Sequence, residues 1–377
     1  MSHKTGLFAM LLVLLCSSCA VNRNATNTTG TLHTVVMKLA PGADNPRNSE
    51  GSFITLKDGR ILFVYSRYTG KSSSDHAPAY LAGRYSADGG KTWSANDIQI
   101  VAQEGDMNVM SVSLLRLRNG TIALFYLRKN STVDCIPVVR FSTDEARTWS
   151  APVDCITDQK GYFVLNNDRV IQLADGRLMM AVARHTTASD PKWSGTGALF
   201  AYYSDDNGKT WTSGKQVATP AGIVTQEPGL VALKDGRVMM FIRASGGTQY
   251  VAYSGDRGAT WSRAEPYNLK SPLSPATIER IPSTGDLLAV WNNNDGSDPA
   301  IKDKRTPLTV ALSKDDGRSW THITNLEADP DGWYCYIAVH FYKNAVLLSY
   351  CAGSQKARTH LSVTDVSRFE LKKLYKQ

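Results

Sequence analysis

Three arginines stand at the start or end of apolar runs that are far apart in this 377-residue chain, namely Arg47, Arg243 and Arg305. If the fold brings them together, three cations share one place and repel each other unless an anion joins them. A guanidinium group is planar and binds a carboxylate through two parallel hydrogen bonds. The three arginines therefore predict a site for a ligand that carries a carboxylate.

Two acidic residues and a tyrosine lie at comparable positions. Asp75 is in a serine-rich loop, Glu227 comes just before an apolar run, and Tyr336 begins the final apolar run, with its neighbour Tyr334 as an alternative. Each of them alone would be an ordinary loop acid or strand tyrosine. Their meaning depends on whether the fold places them beside the arginines, because function resides in the site and not in the scaffold.

An eight-residue repeat predicts the architecture. The pattern Ser-x-Asp-x-Gly-x-Thr/Ser-Trp occurs four times, and a fifth copy has Ala146 in place of the glycine. We expect each copy to close a hairpin, because the Asp side chain accepts N–H groups of the turn and glycine adopts a positive φ. Successive copies start 50 to 62 residues apart, a spacing typical of propellers. The copies span residues 86–93, 142–149, 204–211, 254–261 and 313–320.

Six strand–turn–strand segments alternate with these five copies, and most carry Asp-Gly or Asn-Gly between apolar runs. Such dipeptides are strong signals for β-hairpins, and no window shows a sustained helical period. The count predicts an all-β fold, a six-bladed β-propeller. We expect the strand His33 to Leu39 to complete the last blade by pairing with Leu361 to Val363 or Phe369 to Leu371. The six segments are 56–65, 117–126, 173–182, 233–242, 283–291 and 342–350.

With this architecture, residues 45–355 resemble the retaining exo-sialidases. Members of that family are six-bladed propellers with Asp boxes, as the eight-residue repeats are called there, and carry an arginine triad, an aspartate and a Tyr-Glu pair. The six residues introduced above match those positions. Two features depart from the family pattern. Arg47 is followed by Asn-Ser instead of Ile-Pro, and Ser66 stands before Arg67 where the family often has an acidic residue.

The resemblance implies a role for each residue. Tyr336 would be the nucleophile with Glu227 as its base, and Asp75 would be the general acid and base. A sialic acid carries a carboxylate on its anomeric carbon, which repels an anionic nucleophile, and sialidases are the known exception that uses tyrosine. The substrate carboxylate would be held by Arg47, Arg243 and Arg305.

Further residues are secondary candidates. Arg280 is a rival for Arg305 as the third arginine, although its position in a strand fits less well. His76 could line the side of the leaving group, or could be an incidental loop histidine. Three polar residues precede the second and third inner strands and could contact the substrate, namely Asn108, Asn167 and Arg169.

Two other functions stay open at this point. One is a glycosidase or lyase for another acidic sugar on the same scaffold, and the other is a non-catalytic propeller that binds glycans or protein. A net charge of +8 without a basic run interleaved with aromatic residues argues against nucleic acid as a partner, whereas sialylated glycans or related acidic sugars are compatible with it. No Cys-x-x-Cys motif or histidine cluster suggests a metal, so we expect no cofactor, and we expect a monomer.

The N-terminus has the features of a signal peptide. Lys4 precedes an apolar run that is too short to span a bilayer, and small residues lead to Cys19. We predict a signal peptide of the lipoprotein type over 1–19, a flexible tether over 20–32 and the propeller over 33–377. The protein would be exported as a periplasmic or outer-membrane lipoprotein with the lipid on Cys19 as its membrane attachment, or would be secreted.

Export makes disulfides possible among the four remaining cysteines. Cys135 and Cys155 flank the second eight-residue repeat, and Cys335 and Cys351 lie on consecutive strands of the last hairpin. Either pair could be bridged, and buried free thiols are the alternative.

Overall fold

Strands make up nearly all of the described part of the chain, as the alternation of apolar runs and turn dipeptides predicts. We analysed a computed structural model, which describes Met1 and residues 32–377. The predicted signal peptide and nearly all of the tether lie outside the described residues. Residues 32–377 form one compact unit. No helix in this part of the chain is long and apolar enough to cross a membrane.

The described residues contain the following strands and one short C-terminal helix. They are β1 Thr34–Leu39, β2 Asn48–Thr55, β3 Ile61–Tyr68, β4 Ala79–Ser86, β5 Ile98–Val101, β6 Asn108–Arg116, β7 Ile122–Lys129, β8 Cys135–Ser142, β9 Val153–Asp154, β10 Gly161–Val164, β11 Ile171–Gln172, β12 Leu178–Thr187, β13 Ala198–Ser204, β14 Thr212–Ser213, β15 Thr225–Ala232, β16 Val238–Ala244, β17 Thr248–Ser254, β18 Glu265–Lys270, β19 Thr277–Arg280, β20 Leu287–Asn292, β21 Leu308–Ser313, β22 Thr321–Glu327, β23 Gly332–Tyr342, β24 Ala345–Ser354, β25 Thr364–Glu370 and α1 Leu371–Leu374.

Most strands pair with their chain neighbours in antiparallel sheets. Four sheets have four strands each, in the orders β2-β3-β4-β5, β15-β16-β17-β18, β19-β20-β21-β22 and β1-β25-β24-β23. A nine-stranded sheet follows the order β14-β13-β12-β10-β8-β7-β6, with β9 on β8 and β11 on β12. Its two halves are joined by one parallel pair, Tyr162 and Cys135. The predicted all-β class is confirmed.

The N-terminal strand completes the sheet of the C-terminal strands, as the sequence predicts. β1 pairs with β25 from Thr34 opposite Arg368 to Leu39 opposite Thr364. The paired residues, Thr364 to Arg368, lie between the two expected partner segments, although β25 extends through Phe369 and Glu370 of the second. One sheet thus contains both the first and the last strand, which covers edges that would otherwise be exposed.

The Asp boxes form hydrogen-bonded turns. In one copy, Ser204 Oγ donates to Asp206 Oδ1 at 2.7 Å and Gly208 N donates to Ser204 Oγ at 2.8 Å. Thr210 donates to Asp206 through its backbone N at 2.9 Å and its hydroxyl at 2.6 Å. The copy without glycine makes the same turn, with Ala146 at a φ of 63°. These hydrogen bonds hold the hairpin turns, as the pattern predicts.

One edge strand in each of four sheets carries a β-bulge, namely β2, β6, β15 and β23. In each, the pairing register shifts at one position, and the residue there has a positive φ, which a side chain other than glycine rarely adopts. The φ values are 57° at Glu50, 61° at Ser111, 40° at Glu227 and 55° at Tyr336. Backbone strain of this kind clusters at functional sites. The strands β3, β7 and β16, which pair with the bulged strands β2, β6 and β15, are mostly buried.

Candidate active site

The four bulged residues line one cavity of about 300 Å³. A side chain at a bulge leaves the in-and-out alternation of its strand, and here each one turns towards the cavity. Loops and neighbouring strands supply further lining residues, among them Asp75, Arg243 and Arg305. Five of the six residues predicted from the sequence therefore meet at this cavity, although they come from four different sheets and their loops. The sixth, Arg47, is buried next to the cavity and is not one of its lining residues.

Tyr336, Glu227 and Arg243 form a hydrogen-bonded row. The Tyr336 hydroxyl donates to Glu227 Oε1 at 3.2 Å, and Arg243 Nη1 lies 2.7 Å from the same oxygen. Burial raises the pKa of Tyr336 far above its ordinary value, and the Glu227 carboxylate adds to this shift. Burial is the largest single effect on Glu227 and opposes its ionisation too. The charge and hydrogen bond of Arg243, with the charges of Arg305 and Arg169, together outweigh burial and lower the pKa of Glu227. At neutral pH a neutral phenol thus faces an ionised carboxylate.

Two polar side-chain atoms of this row lack a hydrogen-bond partner among the described residues. Within the described part of the chain, Glu227 Oε2 and Arg243 Nε are buried without a hydrogen-bond partner. Unsatisfied buried atoms are costly in a native protein and need an explanation. Their position in the wall of a polar cavity explains them as contacts for water or a ligand.

Arg305 presents its charge to the same cavity. Its guanidinium carbon lies 5.7 Å from the centroid of the Tyr336 ring and 4.9 Å from that of Trp333. Among the described residues, no carboxylate forms an ion pair with it, in contrast to Arg243. Within the described residues, Arg305 is therefore a cavity-lining cation without a carboxylate partner.

Arg47 is placed differently from the other two arginines. It is 1% exposed and binds Asp75 through Nη1, Glu50 through Nη2 at 2.6 Å, and Ser49 through Nε at 2.8 Å. The backbone carbonyl of Ser73 also accepts from Nη1 at 3.3 Å. All three guanidinium nitrogens are therefore engaged within the protein. Arg47 connects the two carboxylates that line the cavity on this side.

Asp75 is held from two directions. Its side chain is 53% exposed and faces the cavity, while Lys129 Nζ at 2.6 Å and Asn108 Nδ2 at 2.9 Å donate to its backbone carbonyl. Both donors are fully buried. Burial would raise the pKa of Asp75, but Arg47 outweighs this effect and lowers it. Asp75 is thus an anion in the ligand-free protein.

The other residues named from the sequence lie outside the cavity wall. Tyr334 is in the hydrophobic core and packs against Tyr350 with ring centroids 6.2 Å apart. Arg280 binds Asp316 at 2.8 Å in a hairpin. His76 is exposed in the loop of Asp75.

Two of the three polar secondary candidates, Asn167 and Arg169, hydrogen-bond the backbone of the bulged strands. Asn167 donates to the backbone carbonyls of Gly51 at 2.8 Å and Tyr336 at 3.2 Å. Arg169 donates to the carbonyls of Glu227 at 3.4 Å and Ala276 at 2.5 Å. Like Asn108, they hold the backbone of cavity residues in place.

Several lining residues were not predicted from the sequence, including Glu50, Ser111, Lys129, Tyr162 and Trp193. A signal was available for the first two. Glu50, Ser111 and Glu227 each stand nine residues before the glycine of the following hairpin turn. Aligning these three hairpins would have placed Glu50 and Ser111 at the position of Glu227. Nothing comparable marks the other three.

The four cysteines of the described part are buried free thiols. Cys335 and Cys351 lie directly opposite each other on β23 and β24. In the same part of the chain, no group of three or more His, Cys, Asp or Glu side chains is arranged to hold a metal ion.

A family model described as a BNR repeat-like domain matches residues 80–348. The chain belongs to this family. Curated relatives include a sialidase of Paraclostridium sordellii, 27% identical over 250 residues, which cover 58% of each chain. A sialidase of Micromonospora viridifaciens is 28% identical over 316 residues, covering 74% of this chain and 47% of the relative. The resemblance to the bacterial sialidase family is confirmed, and the chain spans about half to three-fifths of the length of these relatives.

Solved structures share the fold. The Hadza microbial sialidase Hz136 superposes with a TM-score of 0.70 at 18% identity, over 89% of this chain and 69% of that one. A leech intramolecular trans-sialidase, complexed with 2,7-anhydro-Neu5Ac, has a TM-score of 0.69 at 13% identity over 92% and 71% of the two chains. At these identities the likeness shows the fold alone, and the all-β architecture is that of sialidase propellers.

Proposed function

We propose that this protein is a retaining exo-α-sialidase that releases terminal sialic acid from glycoconjugates, built on six blades. The observation that carries the proposal is the row of Tyr336, Glu227 and Arg243 in the cavity. A phenol beside an ionised carboxylate is a nucleophile with its base, which is how a weak nucleophile is activated. The sialidase relatives support sialylated glycans as the substrate class.

Arg305 and Arg243 would bind the substrate carboxylate. Arg305 forms no ion pair within the described residues, and Arg243 keeps Nε free of partners there. Charge-assisted hydrogen bonds to a carboxylate would orient the anomeric carbon towards the Tyr336 hydroxyl. Arg47 would support this site through Asp75 and Glu50, and would reach the substrate only if one of these carboxylates moved.

The first chemical step would form a covalent intermediate. The Tyr336 oxygen attacks the anomeric carbon, the phenol proton passes to Glu227, and the bond to the leaving oxygen breaks. Asp75 donates a proton to that oxygen. A neutral nucleophile approaches the anionic substrate without charge repulsion, and the developing positive charge of the ring is stabilised by the nearby carboxylates.

The second step would reverse the roles. Asp75 takes a proton from water, which attacks the anomeric carbon from the side of the departed group. The bond to Tyr336 breaks, and the phenol recovers its proton from Glu227. Two displacements on the same carbon retain its configuration.

Asp75 must gain a proton before the first step, since Arg47 keeps it ionised in the free protein. A bound substrate brings a second negative charge into the cavity, which favours proton uptake by Asp75. We therefore expect the reaction to prefer mildly acidic pH.

The deciding experiment incubates the purified protein with α2,3- and α2,6-linked sialosides and follows the anomeric signals by NMR. Initial release of the α-anomer of sialic acid would support a retaining hydrolase. Release of 2,7-anhydro-Neu5Ac would instead indicate intramolecular transfer, the activity named for the leech protein. Turnover of other acidic glycosides without sialosides, or no turnover of any, would reject the proposal.

A further inference from the structure

The rim of the cavity carries an exposed tryptophan. Trp193 lies between β12 and β13 and is 51% exposed, whereas the other seven tryptophans are buried or half-buried. Leaving a large apolar ring in water forgoes the free energy of burial, and an exposed aromatic beside a cavity is a sign of binding. Trp193 also lines the same cavity as the residues described above.

The indole is fixed by its neighbours. It stacks on the imidazole of His185, with ring centroids 4.4 Å apart and an angle of 6° between the planes. The ring of Tyr162 meets it edge-on at 5.2 Å and 81°. One part of the indole is thus packed against the protein while about half of its surface stays open.

Hydrogen bonds hold the backbone of the segment that carries Trp193, both before and after this residue. The Ser194 carbonyl bonds His185 Nδ1 at 2.8 Å, and Gln226 Nε2 donates to the Gly195 carbonyl at 2.6 Å. Thr187 N donates to the Asp190 carbonyl at 2.9 Å and closes the turn before it. A ligand that contacts this ring would therefore meet a preorganised surface, which reduces the entropy lost on binding.

A chain of contacts connects this ring to the candidate acid. The Tyr162 ring centroid lies 5.3 Å from Lys129 Nζ, and that ammonium group binds the backbone carbonyl of Asp75 at 2.6 Å. Trp193 therefore lies on the same part of the cavity rim as the loop of Asp75, the residue that would protonate the leaving group.

We propose that Trp193 is a stacking platform for the apolar C–H face of a carbohydrate. This proposal rests on the function proposed above and adds a binding residue to the same site. The stacked carbons would belong either to the pyranose of the leaving group or to the carbon side chain of the bound acidic sugar. Both present C–H groups to the electron-rich face of an indole, where contact of this kind contributes free energy beyond burial.

The test compares Trp193→Ala and Trp193→Phe with the wild type on two substrates, α-methyl sialoside and 3′-sialyllactose. We expect the alanine variant to raise KM about three- to tenfold with little change in kcat. The phenylalanine variant should restore most of the affinity, because it keeps a flat aromatic face. Ile323→Ala is the matched control, since Ile323 is also exposed but does not line the cavity.

Each outcome decides the proposal. A raised KM for 3′-sialyllactose alone identifies the leaving-group sugar as the stacked ring, and a raised KM for both substrates identifies the side chain of the acidic sugar. An unchanged KM for both would overturn the proposal. A lower kcat with unchanged KM would also overturn it, because that result assigns Trp193 a structural role through His185 and Tyr162.

A binding measurement separates this proposal from the proposed function. Isothermal titration with 3′-sialyllactose is carried out on Asp75→Asn and on the same variant with Trp193→Ala. Weaker binding in the double variant supports the platform even if the wild type turns over no sialoside. Equal affinities, or no binding to either variant, would reject the platform.

Discussion

The Tyr336 hydroxyl lies 3.2 Å from the Glu227 carboxylate, although 109 residues separate the two in the chain. Both stand at β-bulges of edge strands, β15 and β23, and have a positive φ. The contact between the two side chains therefore depends on two separate distortions of the backbone, each of which turns its side chain towards the other. A purely structural tyrosine would not need such strain, so the pair is the natural place to test the chemistry.

Replacing Tyr336 by phenylalanine should lower kcat for sialosides by at least about a hundredfold, because the nucleophilic oxygen is lost while the ring still fills its place. Tyr334→Phe is the matched control, since Tyr334 lies two residues away in the hydrophobic core and should keep full activity. Steady-state kinetics with thermal unfolding of both variants would check this. Equal losses in the two variants would contradict the assignment of Tyr336.

Replacing Arg305 by glutamine should raise KM for sialosides by about tenfold or more, because a cation without an ion-pair partner in the described structure is the natural contact of the substrate carboxylate. Arg280→Gln should leave KM unchanged and lower stability instead, since Arg280 binds Asp316 and backbone carbonyls. Kinetics of both variants measure the contrast. An unchanged KM in the Arg305 variant would remove Arg305 from the carboxylate site.

The pH dependence of kcat should report Asp75 in the substrate complex. Arg47 lowers the pKa of Asp75 and the bound substrate carboxylate raises it, and the first step needs the protonated form, so kcat falls as the pH rises above the pKa of the complex. Replacing Arg47 and Glu50 together by glutamine removes the guanidinium without leaving an unpaired buried carboxylate. The pKa of Asp75 should then rise, and the basic limb of the pH profile should move to higher pH. A limb that stays in place would show that another group is the acid.

Acid should destabilise the fold through the Asp boxes. Hydrogen bonds from Thr260 lower the pKa of Asp256 to about 2, and the box residues Asp88, Asp144, Asp206 and Asp315 also have a pKa of about 2. Folded-state values below the ordinary 3.8 mean that this stability is present above about pH 4 and is lost as the pH falls towards 2. Urea unfolding between pH 5 and pH 2 measures the effect. A flat midpoint over this range would contradict it.

The substitution Asp206→Asn measures the contribution of a single Asp box to stability. This variant should lose about 1 kcal/mol of unfolding free energy at neutral pH, because an amide has one acceptor oxygen whereas the carboxylate accepts from the backbone N and the hydroxyl of Thr210 through two. Its stability should then depend less steeply on pH than that of the wild type. Equal slopes would show that Asp206 does not take part in the acid transition.

The sequence predicts the strands well, for a physical reason. Asp-Gly turns and Asp boxes act locally, so each hairpin depends on a few neighbouring residues. The partners of a site residue depend on how loops fold back on their own sheet. Arg47 illustrates this, because its sequence position matches a carboxylate-binding arginine whereas Glu50 on β2 and Asp75 in the loop after β3 engage its guanidinium in the structure. The approach of the Asp75 loop to Arg47 leaves no local sequence pattern.

Trp193 shows a second limit of prediction from sequence. It follows Pro191 and Lys192 in a polar segment without any repeat, and only the stacking on His185 and the edge contact with Tyr162 give it a defined place. Those contacts form where the loop between β12 and β13 folds back on strands of its own sheet, so no periodic signal accompanies them. By contrast, Glu50 occupies a repeated position that an alignment of the hairpins would reveal.

The bulges separate the composition of the cavity from that of the core. Because Glu50, Ser111, Glu227 and Tyr336 fall outside the alternation of their strands, each occupies a cavity position that the apolar pattern of its strand does not constrain. We expect specificity to change through these four positions more readily than through the core. Glu50 and Glu227 allow the fewest replacements, since their carboxylates also bind Arg47 and Arg243.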